Sequence, residues 1–305
     1  MSRILVSGLI NIETTLQIED FPIVYEPVRY PFFGISSSVS GVGYNVAKAL
    51  TVLGQGDVRF LSMIGSDAAG KLVLESLAAD GIPAQRVIPA LHQTPQSVIL
   101  YDRAGRRAIN TDLKDIQESL YPTDLFEQAI QGCSLAALCN INFARPFLAR
   151  ARALGIPVAT DVHTIADLDD PYNRDFMAAA DILFMSDERL PYAPEDWVRR
   201  LWGRYRVEEV VVGLGAEGAL LGRRRDHALE RMPAVRTRPV VNTIGAGDAL
   251  FSAFIHDYVV HGDSYAALQR AIVFASYKVG EISAANGFLD EAGLDELCAA
   301  TLRGV

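Results

Sequence analysis

The sequence has little cysteine, and its cysteines are poorly spaced for cross-links or metal binding. Its 305 residues include only Cys133, Cys139 and Cys298, an odd number without a C-x-x-C pair. This pattern argues against a disulfide framework and against a thiolate metal site. We therefore expect a protein of a reducing, cytoplasmic compartment.

Positive charge and long apolar runs are also scarce. Lys and Arg number 28 against 37 Asp and Glu, which gives a net charge of −9. This is the wrong sign for a protein that holds nucleic acid through its phosphates. The first apolar run, residues 4–10, is too short for a signal peptide core, and no later run reaches membrane-spanning length. The expected partners are small molecules, with no nucleic acid and no membrane.

The order of apolar and amphipathic segments predicts an α/β fold. Short β-branched runs alternate with longer segments of helical period, which is typical of a parallel sheet covered by helices. Strands are predicted at 4–9, 58–64, 135–141, 157–161, 182–185 and 209–214. Helices are predicted at 43–53, 67–80 and 145–154, and each is followed directly by a glycine. The pattern predicts a doubly wound, mostly parallel sheet.

Two segments interrupt this alternation. Residues 14–39 are rich in Ile, Val, Tyr and Phe, and residues 94–112 contain the turn Asp102-Arg-Ala-Gly105 between two strand-like runs. Neither segment could be stable alone. We expect them to combine into a small β-lid on a single domain that covers residues 1–305.

Two glycine-rich motifs have the spacing of nucleotide-binding loops but the wrong surroundings. Gly213-Leu-Gly-Ala-Glu-Gly218 matches a dinucleotide fingerprint, yet the residues after it show no helical period. Gly65-Ser-Asp-Ala-Ala-Gly-Lys71 resembles a Walker loop, except that Leu72 replaces the magnesium-binding Ser or Thr. A helix capped by Asp67 explains the second motif equally well. Neither motif favours a nicotinamide or P-loop enzyme.

A third motif, Asn242-Thr-Ile-Gly-Ala-Gly-Asp248, opens a segment with clear helical character. Glycines before a helix let successive backbone amides approach a phosphate at the positive end of the helix dipole. Asp248 adds a carboxylate beside that anion, where it is suited to accept a proton from an attacking hydroxyl. A glycine turn with an aspartate cap is the structural alternative.

With this motif the sequence resembles the ribokinase-like carbohydrate kinases of the PfkB family, whose C-terminal signature is Asp-Thr-x-Gly-Ala-Gly-Asp. The likeness extends over nearly the whole chain, and further segments match in order at 11–13, 40–47, 65–70 and 214–218. The resemblance implies a ribokinase-like fold, ATP as phosphoryl donor and Mg²⁺. It also implies a phosphotransferase with an alcohol group as acceptor, acting on a hydroxymethyl of a sugar or related polyol.

The resemblance implies roles for individual residues. Asp248 would be the catalytic base, and the anion hole would consist of the amides of Gly245, Ala246 and Gly247. The sugar site would consist of Asn11, Glu13, Gly41, Gly43 and Asn45. Carboxylates, amides and close glycine backbone suit the recognition of paired hydroxyls. ATP would be bound by Gly215, Ala216, Gly218 and Thr243.

Three of these residues have plain structural alternatives. Asn45 can be a helix cap, Glu13 a solvated loop acid and Gly218 a hairpin residue. His163, which follows a predicted strand, is a further candidate for the phosphate side of the site.

Two departures from the family pattern concern its cations. Asn242 replaces the first aspartate of the signature, a position associated in relatives with a monovalent cation, and an amide oxygen is a weaker cation ligand than a carboxylate. We therefore predict weak or absent activation by potassium. Segment 185–189 lacks the Asn-x-x-Glu that often organises magnesium in relatives. Either Asp187 or Glu188 substitutes, or the phosphates order the metal, so the magnesium ligands are unknown at this stage.

These motifs do not define the acceptor. The aromatic segment 30–33, Tyr-Pro-Phe-Phe, can pack the lid, contact substrate or pair two subunits, and it keeps open a nucleoside kinase on the same scaffold. Because exposed lid edges need cover, we expect a homodimer through the lid. A non-catalytic sugar-binding protein that retains the fold is the alternative from another class. Asn242 and the segment 186–189 favour it, and Asp248 opposes it.

Overall fold

The computed structural model describes residues 2–301, so Met1 and residues 302–305 of the predicted 1–305 domain lie outside it. The strands are, in chain order, β1 (Arg3–Ser7), β2 (Asn11–Gln17), β3 (Ile35–Ser40), β4 (Asp57–Gly65), β5 (Val87–Leu91), β6 (Gln96–Tyr101), β7 (Arg107–Asp112), β8 (Leu135–Leu138), β9 (Val158–Thr164), β10 (Ile182–Ser186), β11 (Glu209–Gly213), β12 (Ala219–Arg223) and β13 (Ala228–Met232). The α-helices are α1 (Val42–Val52), α2 (Ala68–Ala79), α3 (Thr123–Ile130), α4 (Arg145–Ala153), α5 (Arg174–Ala179), α6 (Pro194–Arg204), α7 (Ala246–His261), α8 (Ser264–Lys278) and α9 (Glu291–Thr301).

The larger sheet has nine strands in the order β13-β12-β11-β10-β9-β8-β1-β4-β5. Neighbours from β11 through β5 run parallel, whereas β12 is antiparallel to both β11 and β13. In β1, Ile4 and Val6 belong to one buried cluster and Leu5 to another on the opposite face. Burial on both faces explains why the strands are continuous apolar runs. The predicted doubly wound, mostly parallel α/β fold is confirmed.

Helix α7 brings its amino terminus to the carboxyl edge of this sheet. Its residues 249–257 are all buried, because it packs between α1 and α8 and against β9. A helix that is apolar around its whole circumference is expected in such a position. The packing fixes the start of α7, and with it the third glycine motif, beside the end of β9.

The second sheet has four strands in the order β3-β2-β6-β7, and we call it the lid sheet. It contains residues from both segments that interrupt the helix and strand alternation, 14–39 and 94–112. β2 and β6 run parallel, and each carries an antiparallel partner at the edge. On its inner face, Ile99 packs with Ile244 and Ala284, so the lid sheet lies against the turn before α7. That this sheet opens and closes over a substrate stays a prediction.

The two rival glycine motifs have structural roles. Asp67 Oδ1 accepts a hydrogen bond of 2.9 Å from Gly70 N, which caps α2, and Asp67 Oδ2 accepts one of 3.0 Å from Thr94 N. The motif 213–218 joins the antiparallel strands β11 and β12, so the chain continues into a hairpin and not into a helix. Both findings confirm the structural interpretation of these motifs.

The aromatic segment 30–33 lies on the surface. Tyr30, Phe32 and Phe33 are 75%, 85% and 106% exposed, and the rings of Tyr30 and Phe32 stack with centroids 6.4 Å apart. Packing inside the lid is therefore not their role. Contact with a substrate or with a second subunit stays open.

Cys133, Cys139 and Cys298 are all buried and free of disulfide bonds. Within residues 2–301, no helix is both long and apolar enough to cross a membrane.

Candidate active site

The predicted anion hole lies in the turn before α7, and its role in binding an anion stays a prediction. Gly245 is the N-cap of α7 with a φ of 76°, and a Cβ at this position would lie 2.7 Å from Ala284 O. Both constraints require glycine. Ala246 N donates to Thr243 O at 3.2 Å, and no side chain among residues 2–301 caps the helix. The amides of Gly245 and Gly247 have no backbone acceptor among residues 2–301 and are available to an anion at the positive end of the helix dipole, whereas an anion would have to share the Ala246 amide with Thr243 O.

Asp248 lies in the first turn of α7, beside this anion hole. Its Oδ2 accepts a hydrogen bond of 2.7 Å from Asn45 Nδ2. Removal of water by the surrounding protein raises the pKa of Asp248, and the hydrogen bond from Asn45 opposes that rise. A carboxyl group with a raised pKa is better matched to proton transfer near neutral pH than an ordinary one.

Asn45 connects Asp248 to the predicted sugar site. Ser40 Oγ lies 3.1 Å from Glu13 Oε2 and 3.3 Å from Asn45 Oδ1, within hydrogen-bond distance of both. Glu13 and Asn45 are buried, so Glu13 is not a solvated acid. Asn45 is not a helix cap either, since Gly41 is the N-cap of α1. The chain Glu13, Ser40, Asn45 and Asp248 thus runs from the lid sheet to the anion hole.

Two buried oxygens of β2 have no protein partner among the described residues. These are Asn11 Oδ1 and Glu13 Oε1, whose residues are 3% and 6% exposed. The other end of the Asn11 amide donates to Ser97 Oγ at 3.1 Å, and burial raises the pKa of Glu13. An unsatisfied buried acceptor costs about 1–3 kcal/mol. Hydroxyl groups of a bound polyol are donors that would satisfy both oxygens.

The two glycines of the predicted sugar site place α1. Gly41 is the N-cap of α1, and Gly43 packs directly on the backbone of Gly8 at the end of β1. This close approach brings Asn45, one turn further on, to Asp248. Packing explains both glycines, and their contact with a sugar stays a prediction.

The predicted ATP residues lie in two surface turns. Gly215 and Ala216 are exposed in a short turn after β11, and Thr243 is exposed just before the anion hole. A Cβ at Gly218 would collide with Met232 O of the β12 to β13 hairpin. The hairpin therefore accounts for Gly218, whereas Gly215 and Ala216 are open to a ligand.

Both ends of the Asn242 amide are occupied by backbone groups. Its Nδ2 donates to Ile282 O at 2.6 Å, and its Oδ1 accepts a hydrogen bond of 3.0 Å from Ile244 N. Asn242 therefore shapes the turn, which supports the prediction of weak potassium activation.

Arg107 of β7 is a neighbour of the predicted site that the sequence did not reveal. Its guanidinium donates to Thr243 Oγ1 at 2.8 Å and to Glu188 Oε1 at 3.3 Å. This arginine thus ties the lid sheet to segment 185–189 and to the turn 242–245, which we call the nucleotide turn because it contains the predicted ATP residue Thr243. Only the pairing of distant segments brings these groups together, so no local motif marked Arg107.

The end of β9 also reaches the anion hole. A Cβ placed on Gly247 would lie 3.9 Å from Asp161 Oδ2, and His163 N donates to Asp161 Oδ1 at 2.7 Å. His163 has a φ of 58°, a conformation that is uncommon for residues other than glycine and that often occurs at functional sites. The position of His163 supports its candidacy for the phosphate side, and Asp161 is a neighbour that the sequence did not reveal.

A third missed residue, Lys278 of α8, is fully buried below the turn. Its Nζ donates to Ile244 O. A lysine is almost always a surface residue, so the sequence carries no signal for a buried site residue at this position.

The fold and the site define a small-molecule kinase, and comparison with known proteins gives its family. The model of the pfkB family carbohydrate kinases matches residues 1–154 and 157–292. The chain belongs to this family. It is a sugar or nucleoside kinase, a phosphotransferase with an alcohol group as acceptor.

Individual relatives agree over nearly the full length. The acarbose 7(IV)-phosphotransferase of Actinoplanes sp. is 26% identical over 295 residues, which cover 95% of this chain and 96% of that protein. The ATP-dependent ribose-1-phosphate kinase of Halopiger xanaduensis is 27% identical over 277 residues, with coverage of 89% and 90%. The solved structure of the microbiome-derived acarbose kinase Mak1 superimposes with a TM-score of 0.84 at 28% identity, covering 98% of this chain and 99% of that one.

Proposed function

We propose that this protein transfers the γ-phosphoryl group of ATP to a hydroxymethyl group of a sugar or related polyol. The observation that carries this proposal is the row of polar side chains from Glu13 through Ser40 and Asn45 to Asp248. Each neighbouring pair lies within hydrogen-bond distance, and the single Ser40 hydroxyl proton can go either to Glu13 or to Asn45. The row joins buried, unsatisfied polyol acceptors on the lid sheet to a carboxylate at the open amino terminus of α7. A sugar held by the first group would present a hydroxyl toward the second.

In the proposed reaction, Asp248 accepts the proton of the acceptor hydroxyl. A bond forms between the acceptor oxygen and the γ-phosphorus, and the bond from that phosphorus to the oxygen bridging the β- and γ-phosphates breaks, so that ADP leaves. The amides of Gly245, Ala246 and Gly247 stabilise the negative charge on the transferring group. Asn45 orients the carboxylate through its 2.7 Å hydrogen bond.

Magnesium is proposed to arrive with the nucleotide. Among residues 2–301, no three His, Cys, Asp or Glu side chains cluster as a metal site. A site with so few protein ligands fits Mg²⁺ that is bound mainly by phosphates and water, because this ion commonly takes only one or two carboxylates from the protein. We assign Asp161, the buried carboxylate that faces Gly247, as the side chain that would hold it. The ion would neutralise charge on the phosphates.

A nucleoside is the second candidate acceptor. The stacked and exposed rings of Tyr30 and Phe32 are the observation that favours it, since such rings can bind a base. Two of the compared proteins are named for acarbose and one for ribose 1-phosphate. These two compounds therefore belong in the panel of acceptors.

The test is acceptor-dependent release of ADP in one coupled assay. The panel contains acarbose, ribose 1-phosphate, ribose, fructose, 2-keto-3-deoxygluconate, inosine and adenosine, and Asp248→Asn controls for contaminating kinases. We expect turnover with at least one carbohydrate and none in the variant. Turnover with inosine or adenosine alone would make the protein a nucleoside kinase. ATP binding without turnover for any acceptor would favour the non-catalytic alternative.

We also propose a homodimer through the lid sheet. Ile35 and Val98 lie on its outer face, where they are 59% and 46% exposed. Exposed apolar sheet faces are typical of surfaces that a partner covers. Val98→Asp should convert a dimer to a monomer in light scattering, whereas Leu72→Asp, a matched change on the exposed face of α2, should not. A monomeric wild-type protein would refute this proposal.

A further inference from the structure

Lys278 is a buried cation directly beneath the anion-binding turn. It is 0% exposed, and among residues 2–301 its one hydrogen-bond partner is Ile244 O, in the turn that precedes α7. No carboxylate oxygen of the described chain lies within 4.0 Å of its nitrogen. Its charge is therefore not neutralised by a close ion pair.

Two of the four charged groups that interact with this ammonium, Asp248 and Glu13, belong to the proposed site. The charges that face it are the carboxylates of Asp248, Glu13 and Glu281 and the guanidinium of Arg238. Burial lowers the pKa of Lys278 to about 8, and the three carboxylates oppose this effect. The ammonium thus interacts electrostatically with both the proposed proton acceptor and the proposed polyol-binding acid.

A structural role does not require a cation here. Other side chains of α8, such as Val273 and Phe274, are hydrocarbon and fully buried, and an apolar residue would pack at this point without the penalty for burying a charge. Only a positively charged residue supplies a positive potential at Ile244, Asp248 and the adjoining amides. A buried ionisable group beside a cleft and a specific charged partner is a mark of functional sites.

We propose that the Lys278 ammonium is a fixed cation of the phosphoryl-transfer site. As a positioning residue, it holds the turn 242–245 through Ile244 O and offsets the negative charge of Asp248, Glu13 and the incoming phosphates. This inference rests on the proposed kinase function and deepens it. A tethered cation also gives a physical reason for weak potassium activation, because the carbonyl of Ile244 is already occupied.

The first test compares two substitutions that preserve the size of the side chain. Lys278→Met removes the charge, and Lys278→Arg retains it. We expect Lys278→Met to lower kcat about 10-fold or more with a small change in the acceptor KM, and to weaken ATP binding measured by calorimetry. The wild-type enzyme should lose activity above about pH 8, where Lys278 deprotonates, and Lys278→Met should lack this limb.

The second test is chemical rescue. In Lys278→Ala, ammonium or potassium chloride should restore turnover and ATP affinity, whereas choline chloride at the same ionic strength should not. Val273→Ala is the matched control on the same helix, because it removes buried hydrocarbon without altering charge. It should lower the melting temperature but keep the wild-type pH profile and show no response to ammonium.

The outcomes separate this inference from the proposed function. Lys278→Met with wild-type kcat and ATP affinity, or equal rescue by choline and ammonium, would overturn the role of the fixed cation. A wild-type protein that releases no ADP with any acceptor would overturn the kinase proposal. In that case, weaker ATP binding by Lys278→Met than by Lys278→Arg would still support the inference. Equal ATP binding by the two variants would refute it.

Discussion

Asn45 and Asp248 are 203 positions apart in the sequence, and the Asn45 amide donates a 2.7 Å hydrogen bond to the Asp248 carboxylate. The contact joins α1, which follows the lid sheet, to α7, which opens the anion hole. It limits the rotation of the carboxylate and connects it through Ser40 to Glu13. In the proposed mechanism, Asn45 would couple acceptor binding to proton transfer, and this link leads to several specific predictions.

Asp248→Asn should abolish most turnover while the protein stays folded. The new amide has nearly the same shape and still offers an oxygen to Asn45, but it cannot accept a proton from the acceptor hydroxyl. We expect a loss of about 10² to 10⁴ in kcat, which is the usual contribution of a general base. ADP release measures the loss, and calorimetry should show ATP binding close to that of the wild type. Turnover near the wild-type rate would contradict the role of Asp248.

The same variant should be at least as stable as the wild type at neutral pH. The folded state raises the pKa of Asp248 above its ordinary value of 3.8, so it binds this proton more tightly than the unfolded state does. The contribution of Asp248 to stability therefore falls as the pH rises from 3.8 through the folded pKa. The melting temperature of Asp248→Asn relative to wild type should increase with pH and then level off. A constant difference across that window would show that Asp248 is not desolvated.

Asn45→Ala tests the link itself. Loss of the hydrogen bond frees the carboxylate to rotate and removes the interaction that holds its pKa down. We expect kcat to fall about 10- to 100-fold and the acidic limb of the kcat/KM profile to move to higher pH. Lys48→Ala, on the same helix but paired only with Asp80 among the described residues, is the control and should leave the profile unchanged. An unshifted acidic limb in Asn45→Ala would argue that the contact is only structural.

Arg107→Ala should weaken closure of the lid sheet with little effect on stability. The guanidinium and its partner Glu188 are 31% and 58% exposed, so their ion pair contributes at most about 1 kcal/mol to folding. Its contact with Thr243 instead holds the lid sheet over the nucleotide turn. We expect kcat/KM to fall about 10-fold and ATP hydrolysis without acceptor to rise, since an open site admits water. Arg103→Ala, on the exposed hairpin turn, is the control, and equal effects of the two changes would rule out a specific closure contact.

Local patterns were sufficient for six of the nine strands of the main sheet, the glycine stops of the helices and the Asp67 cap, because each depends on residues close in sequence. Strands β5, β12 and β13 were not predicted. Local patterns also located both segments of the lid sheet. The parallel pairing of β2 with β6 was not predictable, since it joins segments about 80 residues apart and follows from tertiary packing. Arg107 and Lys278 were missed for the same reason: their partners, Thr243 and Ile244, are 136 and 34 positions away.

Lys278→Met provides a last prediction that does not depend on substrate. The folded state lowers the pKa of Lys278 from 10.5 to about 8, so between these values the unfolded chain binds more protons than the folded protein. Wild-type stability should therefore rise with pH through this window relative to the variant, by a total on the order of 3 kcal/mol. Denaturant unfolding of both proteins from about pH 7 to about pH 10 measures this difference, because changes in other titrating groups are largely common to both. Parallel stability curves would mean that the ammonium is not held away from water, and the fixed cation beneath the anion hole would then have no physical basis.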